Sequence, residues 1–166
     1  MRNKLIIAGL VVLGLAAVTY AAFSQNLIIN GTGSIGANWD VKITGITPGS
    51  SNGATANGAP SFTSTSATFD VDLAYPGAYA EYQVAVENGG TVNAKLDSIS
   101  GVDTANAAAP TDVQYTVSGV VANTTTLAAG DSNTATVRVE WDPASTAVDD
   151  ASKTATITLN YVQDTP

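Results

Sequence analysis

Apolar and polar positions divide this chain into two parts. From Leu5 to Val18 the sequence is uncharged and apolar without a break, whereas from Asn38 onward apolar and polar residues alternate. Alternation with period two marks a half-buried strand, because successive side chains of a strand point to opposite faces. Trp39, Val41 and Ile43 share one face of a first strand, with Asp40, Lys42 and Thr44 on the other. Ala67, Phe69, Val71 and Leu73 then alternate with Thr68, Asp70 and Asp72. Ala80, Tyr82, Val84 and Val86 form a third inner face, which ends at the turn signal Asn88-Gly89-Gly90. Val92 to Ile99 reads as a returning strand with Ala94 and Leu96 inward. Its pattern breaks at Asp97-Ser98, which points to a bulge. Three more strands carry Val113, Tyr115, Val117 and Val121; Ala135, Val137, Val139 and Trp141; and Ala155, Ile157, Leu159 and Tyr161.

Between the strands, Thr47 to Pro60 holds Pro48-Gly49, Asn52-Gly53 and Asn57-Gly58 and predicts a long surface loop. Val102 to Thr111 reads as an Ala-rich loop, with Ala129-Gly130-Asp131 and Pro143–Ser152 as further connections. Thr and Val favour strands, Gly, Asn and Ser favour turns, and no Leu-rich or Glu/Lys-rich stretch argues for a long helix. The expectation is an all-β fold: a two-sheet, jelly-roll-like sandwich of about 7–8 strands behind an N-terminal hydrophobic signal helix.

Arg2 and Lys4 precede the apolar run, giving the charged and hydrophobic regions of an export signal. Thr19-Tyr20-Ala21 places small residues at the third and first positions before a cut, which predicts cleavage between Ala21 and Ala22. A spanning helix needs about 20 apolar residues, and Leu5–Val18 is shorter. Extended to Phe23 the run nearly reaches that length, so a retained anchor is the alternative. The expected organisation is a signal at 1–21, a strand and hinge at 22–36, and a β-domain at 37–166. The freed segment Ala22–Asn30 carries Phe23, Leu27 and Ile29 at period two, and Gly31 and Gly33 form a hinge behind it. Such a strand has no neighbour in sequence, and it suits the open sheet edge of another subunit as a donor strand.

Charge and chemistry narrow the function. The net charge is −8, and loss of Arg2 and Lys4 with the signal takes it to −10. Lys42, Lys95, Arg138 and Lys153 are then the only basic residues, so the surface repels phosphate and no nucleic-acid partner is expected. There is no Cys and no His. No disulfide framework, His-Glu-x-x-His zinc site, or Ser-His-Asp or Cys-His nucleophile is available, and no enzyme activity is expected. Calcium takes oxygen ligands alone, which makes Asp70, Asp72, Asp103, Asp131, Asp149 and Asp150 the candidate ligands. None has calcium-loop spacing, and solvated faces account for them better; Asp149-Asp150 is the best weak candidate. Asn30-Gly31-Thr32 and Asn123-Thr124-Thr125 are glycosylation sequons. Trp39 and Trp141 alternate with core positions, and Tyr75 and Tyr79 read as surface aromatics.

Several of these pieces recur in one order. Thr19-Tyr20-Ala21-Ala22-Phe23-Ser24 is followed by a Gly-rich segment and by Trp39-Asp40-Val41-Lys42-Ile43. Leu73-Ala74-Tyr75-Pro76-Gly77 then leads into Tyr82 to Thr91, and Leu127-Ala128-Ala129-Gly130-Asp131 into Ala135–Trp141. In this order the chain resembles the TasA/camelysin-like family of secreted fibre proteins, exported through signals cut by a SipW-type peptidase. The resemblance covers most of the chain. It implies a jelly-roll sandwich that polymerises into extracellular fibres of biofilm matrix, each subunit lending its N-terminal strand to the next. Camelysin-type relatives have been described as metallo-endopeptidases, and the absence of His and Cys puts that activity in doubt here. The expected partner is a homopolymer, with membrane contact limited to the uncleaved signal. The alternative is a membrane-anchored, monomeric adhesion or carbohydrate-binding module. A type IV pilin fits less well, because no prepilin cleavage site precedes Leu5.

Overall fold

The long strand β6 (Tyr79–Asn88) organises the structure, a computed structural model that describes residues 36–146, 153 and 155–165. The expected signal, its Ala21–Ala22 cleavage bond, the donor strand with Phe23, Leu27 and Ile29, the Gly31/Gly33 hinge, Asn30, Asp149 and Asp150 lie outside those residues. In β6 the alternation works as expected. Ala80, Tyr82, Val84 and Val86 are all buried, at 3–6 % exposure. Antiparallel neighbours flank it, β1 (Val41–Asn52) on one side and β10 (Ser132–Trp141) on the other. With β8 (Val113–Ser118) beyond β10, the order in this four-stranded sheet is β1-β6-β10-β8.

A second sheet has the order β11-β7-β9, formed by β11 (Thr158–Gln163), β7 (Ala94–Ser100) and β9 (Thr126–Leu127). Two-stranded ribbons pair β2 (Ala54–Ala56) with β5 (Val71–Leu73), and β3 (Ser61–Phe62) with β4 (Ala67–Thr68). The described residues are therefore all-β in class, with one short helix. Apolar clusters join the two larger sheets: Val86 of β6 packs with Ala94 of β7 and Leu127 of β9, and Ala135 of β10 with Leu96 of β7 and Val120. Asn88, fully buried, clasps them as well. Its Nδ2 donates to the carbonyls of Val92 (2.8 Å) and Leu127 (3.0 Å), while Gly90 N–H donates to its Oδ1 (3.1 Å).

The structure corrects five expectations. Thr47–Pro60 is not a loop: β1 continues to Asn52, and β2 follows Gly53, whose φ of 62° suits glycine. The side chains of this stretch are mostly exposed, so backbone pairing to β6 holds it without leaving an apolar pattern to read. Val92–Ile99 does not return beside β6; β7 crosses into the other sheet, between β11 and β9. Val102–Thr111 contains the helix α1 (Val102–Ala107), one and a half turns seated by buried Ala105. Val121 is 60 % exposed and Val120 is buried instead, because Gly119 (φ 81°) ends β8 and resets the alternation. Trp39 lies ahead of β1 and is 45 % exposed, so it is not a core residue.

Other expectations hold in detail. Ala67, Phe69, Val71 and Leu73 face inward, half-buried, with Thr68, Asp70 and Asp72 exposed, although the chain there breaks into β4 and β5. Phe69 stacks on Tyr82 at 4.1 Å between ring centroids. The register of β11 against β7 skips Asp97, which makes Asp97 the extra residue of a bulge. Trp141 is half-buried at the end of β10, and its indole Nε1 has no partner among the described residues.

Candidate functional site

A strand-adding function is decided at sheet edges, where backbone N–H and C=O groups lack neighbours. The four outer strands of the two larger sheets, β1, β8, β9 and β11, differ sharply in this respect.

The edge of β1 is irregular. Its register shifts twice, between Ile43 and Gly45 and between Pro48 and Ser51, and Pro48 removes a donor from the same strand. Ile43 N–H turns away from β6 and donates to Ser64 C=O at 2.8 Å. Bulges, proline and a covering loop are the recognised devices that blunt an edge. The strand β9 is blunted by its length of two residues.

The first half of the β8 edge is closed by side chains, at Val113 C=O and at both backbone groups of Tyr115. The amide of Asn106, on α1, stands in for a neighbouring strand: Tyr115 N–H donates to its Oδ1 at 2.7 Å, and its Nδ2 donates to Tyr115 C=O at 2.9 Å. Lys153 Nζ donates to the carbonyls of Val113 (2.7 Å), Pro110 (2.8 Å) and Asn106 (3.5 Å). In return Tyr115 Oη donates to Lys153 C=O at 2.9 Å. Burial lowers the pKa of the Lys153 ammonium, with nearby Asp112 opposing the shift, and burial raises that of the Tyr115 phenol. Sequence reasoning missed this closure. Lys153 is one lysine in a polar stretch, and Asn106 sits in a segment read as loop.

The edge of β11 is different. Leu96 of β7 turns its backbone toward the β9 side, since its N–H donates to Thr125 C=O and its C=O accepts from Asn123 N–H. Tyr161, opposite Leu96, is then in a non-hydrogen-bonded pair and turns its own backbone away from β7. Asp164 N–H donates back to Asn93 C=O, which assigns the even-numbered residues to the β7 side. Leu159, Tyr161 and Gln163 therefore present N–H and C=O outward, and no hydrogen bond from another described residue meets them. The strand Thr158-Leu159-Asn160-Tyr161-Val162-Gln163 contains no Pro and no charged residue. Leu159 and Tyr161 point inward yet are only half-buried, whereas Leu96 and Ala94 of the adjacent strand are at 0 % exposure. The phenol of Tyr161 donates to Asn133 Oδ1 at 3.1 Å, and burial raises its pKa.

The remaining candidates are dispersed. Among the described residues, no three acidic side chains meet in a metal-holding group. Asp72 accepts from Asn57 Nδ2 at 2.8 Å, Asp103 lies in the first turn of α1, and Asp131 precedes β10. Asn123 is exposed in a turn with φ 60°, so its sequon is accessible. Tyr75 is 46 % exposed, as expected, but Tyr79 is half-covered by Arg138, whose guanidinium carbon lies 3.5 Å from the ring centroid. Arg138 also pairs with Glu140 (3.0 Å) and Glu81 (3.1 Å) across the outer face of the four-stranded sheet. A cleft lined by Pro48, Ser51, Ala54, Val71 and Tyr82 holds about 70 Å³. That is well below the several hundred Å³ of an ordinary small-molecule site. No family model, curated protein or solved structure matches the chain.

Proposed function

We propose that this protein is the secreted structural subunit of an extracellular filament, of the kind built by TasA/camelysin-like proteins, and not an enzyme. On this reading the two larger sheets are the layers of a jelly-roll sandwich, and the N-terminal signal is removed at Ala21–Ala22. Ala22–Asn30 then adds as a strand to an open sheet edge of the next subunit. The observation that carries the reading is a strand-length apolar segment ahead of a domain in which, among the described residues, one long sheet edge meets no neighbour. A head-to-tail contact of this kind uses two different surfaces, so it propagates and does not close as a twofold dimer would. Burying Phe23, Leu27 and Ile29 is worth on the order of 1.5–3 kcal/mol each, enough for the segment to dominate the contact.

Deleting Ala22–Asn30 tests the proposal. The truncated protein should be a soluble monomer with no filaments under negative stain, and the free 22–30 peptide should raise its melting temperature. Regular filaments from the truncated protein would sink the donor-strand mechanism. Mass spectrometry of exported protein should find Ala22 at the N-terminus; a chain starting at Met1 would favour an anchored module.

The anchored, carbohydrate-binding alternative gains one observation, the exposed ring of Trp39. If that reading is right, oligosaccharides should change Trp fluorescence, and Trp39→Ala should abolish the change.

A further inference from the structure

We propose that the acceptor site is the outer edge of β11, and that its occupant is the segment Ala22–Asn30 of a second copy of this chain. The inference rests on the fibre-subunit reading and says which of the four outer strands receives the donor.

Hydrogen-bonding capacity argues first for β11. Leu159, Tyr161 and Gln163 offer outward N–H and C=O groups at every second residue, the spacing an added strand requires. The strand β8 has given the C=O of Val113 to Lys153 and both backbone groups of Tyr115 to Asn106. The strand β1 is broken by two register shifts and Pro48, and β9 is too short.

Side-chain chemistry argues second. Leu159 and Tyr161 pack against the cluster of Leu96, Val120 and Ala135, with half-buried Ile99 and Val117 beside them. A strand laid along β11 with Phe23, Leu27 and Ile29 inward would extend that apolar layer. The segment's nine residues span ~30 Å when extended, more than the six residues of β11. Charge argues third. Neither Ala22–Asn30 nor β11 carries a charged side chain, and cleavage leaves a positive α-amino group at Ala22, in a chain whose net charge has fallen to −10. The two strands can therefore pair without the like-charge repulsion that separates acidic surfaces. Amide side chains stand on both strands, Gln25 and Asn26 on one and Asn160 and Gln163 on the other, and suit cross-strand hydrogen bonds.

Cysteine cross-linking reads the edge directly, because the chain has no cysteine of its own. The mature chain (22–166) with Asn26→Cys or Ile28→Cys, which place the thiol on the outward face of the donor, is mixed with the mature chain carrying Val162→Cys, on the outward face of β11. Thr116→Cys on β8 and Thr47→Cys on β1 serve as competing edges. Oxidation should give a covalent dimer with Val162→Cys at least about tenfold above the other two. Gln163→Pro removes one outward N–H without touching the β7 pairing, and it should abolish filaments while leaving the monomer folded. Cross-links to Thr116→Cys or Thr47→Cys in intact filaments would overturn the edge and keep the fibre reading. Closed monomers from the double variant Ile28→Cys/Val162→Cys would mean that the segment folds back on its own copy. Absence of both filaments and cross-links would sink the fibre reading itself.

Discussion

Two six-residue edge strands, β8 and β11, each carry an inward tyrosine near the middle and sit in different sheets. Tyr115 of β8 is 6 % exposed, and both of its backbone groups and its phenol are spoken for by Asn106 and Lys153. Tyr161 of β11 is half-buried; its phenol donates to Asn133, and among the described residues its outward backbone groups meet no partner. Composition does not separate the strands, since VQYTVS and TLNYVQ are both uncharged, free of Pro and Gly, and built on β-branched residues around one tyrosine. What separates them is a helix and a lysine brought from elsewhere in the chain. An edge is guarded or left open by its surroundings, and one fold can do both.

Aromatic truncation should show the largest contrast. Tyr115→Ala should cost about 3–5 kcal/mol in denaturant unfolding, the range for removing a buried aromatic. Tyr161→Ala in the monomer should cost roughly 1–2 kcal/mol, because part of its ring is already wet. Equal losses would remove the distinction between a sealed and an open edge.

Next comes the plug itself. Asn106→Ala strands Tyr115 N–H and C=O under α1 and should cost about 1–3 kcal/mol. It should also make β8 competent for strand addition, visible as bundled or irregular aggregates in place of single filaments. Unchanged stability would mean that solvent substitutes for the amide. Lys153→Met is expected to be milder, about 1 kcal/mol, because lost carbonyl contacts are offset by no longer desolvating an ammonium.

The smallest effect is that of pH. Burial raises the phenol pKa of Tyr82, Tyr115 and Tyr161 above the ordinary 10.0. Their stabilising contribution is complete below pH 10 and is lost as pH rises through the folded values, since the unfolded state then binds fewer protons. Lys153 acts oppositely: its lowered pKa makes stability rise with pH just below the ordinary 10.5. Chemical unfolding between pH 9 and 11 should show a net decline that becomes shallower in Tyr115→Phe. An undiminished decline in that variant would mean that Tyr115 is not held protonated by the fold.

Local alternation was enough to identify the all-β class and the inward set of β6, β8 and β10, because burial of alternate side chains leaves a period-two mark in the sequence itself. The bulge at Asp97 was legible for the same reason: one skipped residue interrupts that mark. Elements held by backbone pairing or by a single small residue leave no such mark, which is why the end of β1, with exposed side chains, and α1, anchored by Ala105 alone, were read as loops. The cross-sheet path of β7 was hidden too, since Asn88-Gly89-Gly90 announces a turn without saying which sheet follows it. Edge chemistry belonged to the tertiary structure entirely. Asn106 lies nine residues and Lys153 thirty-eight residues from Tyr115, and only folding delivers an amide and an ammonium to the same strand. Alternation along the long strands determined their inward sets, because burial of every second side chain is a local pattern; the tertiary contacts decided which strands still have hydrogen bonds to offer, because those partners come from distant parts of the chain.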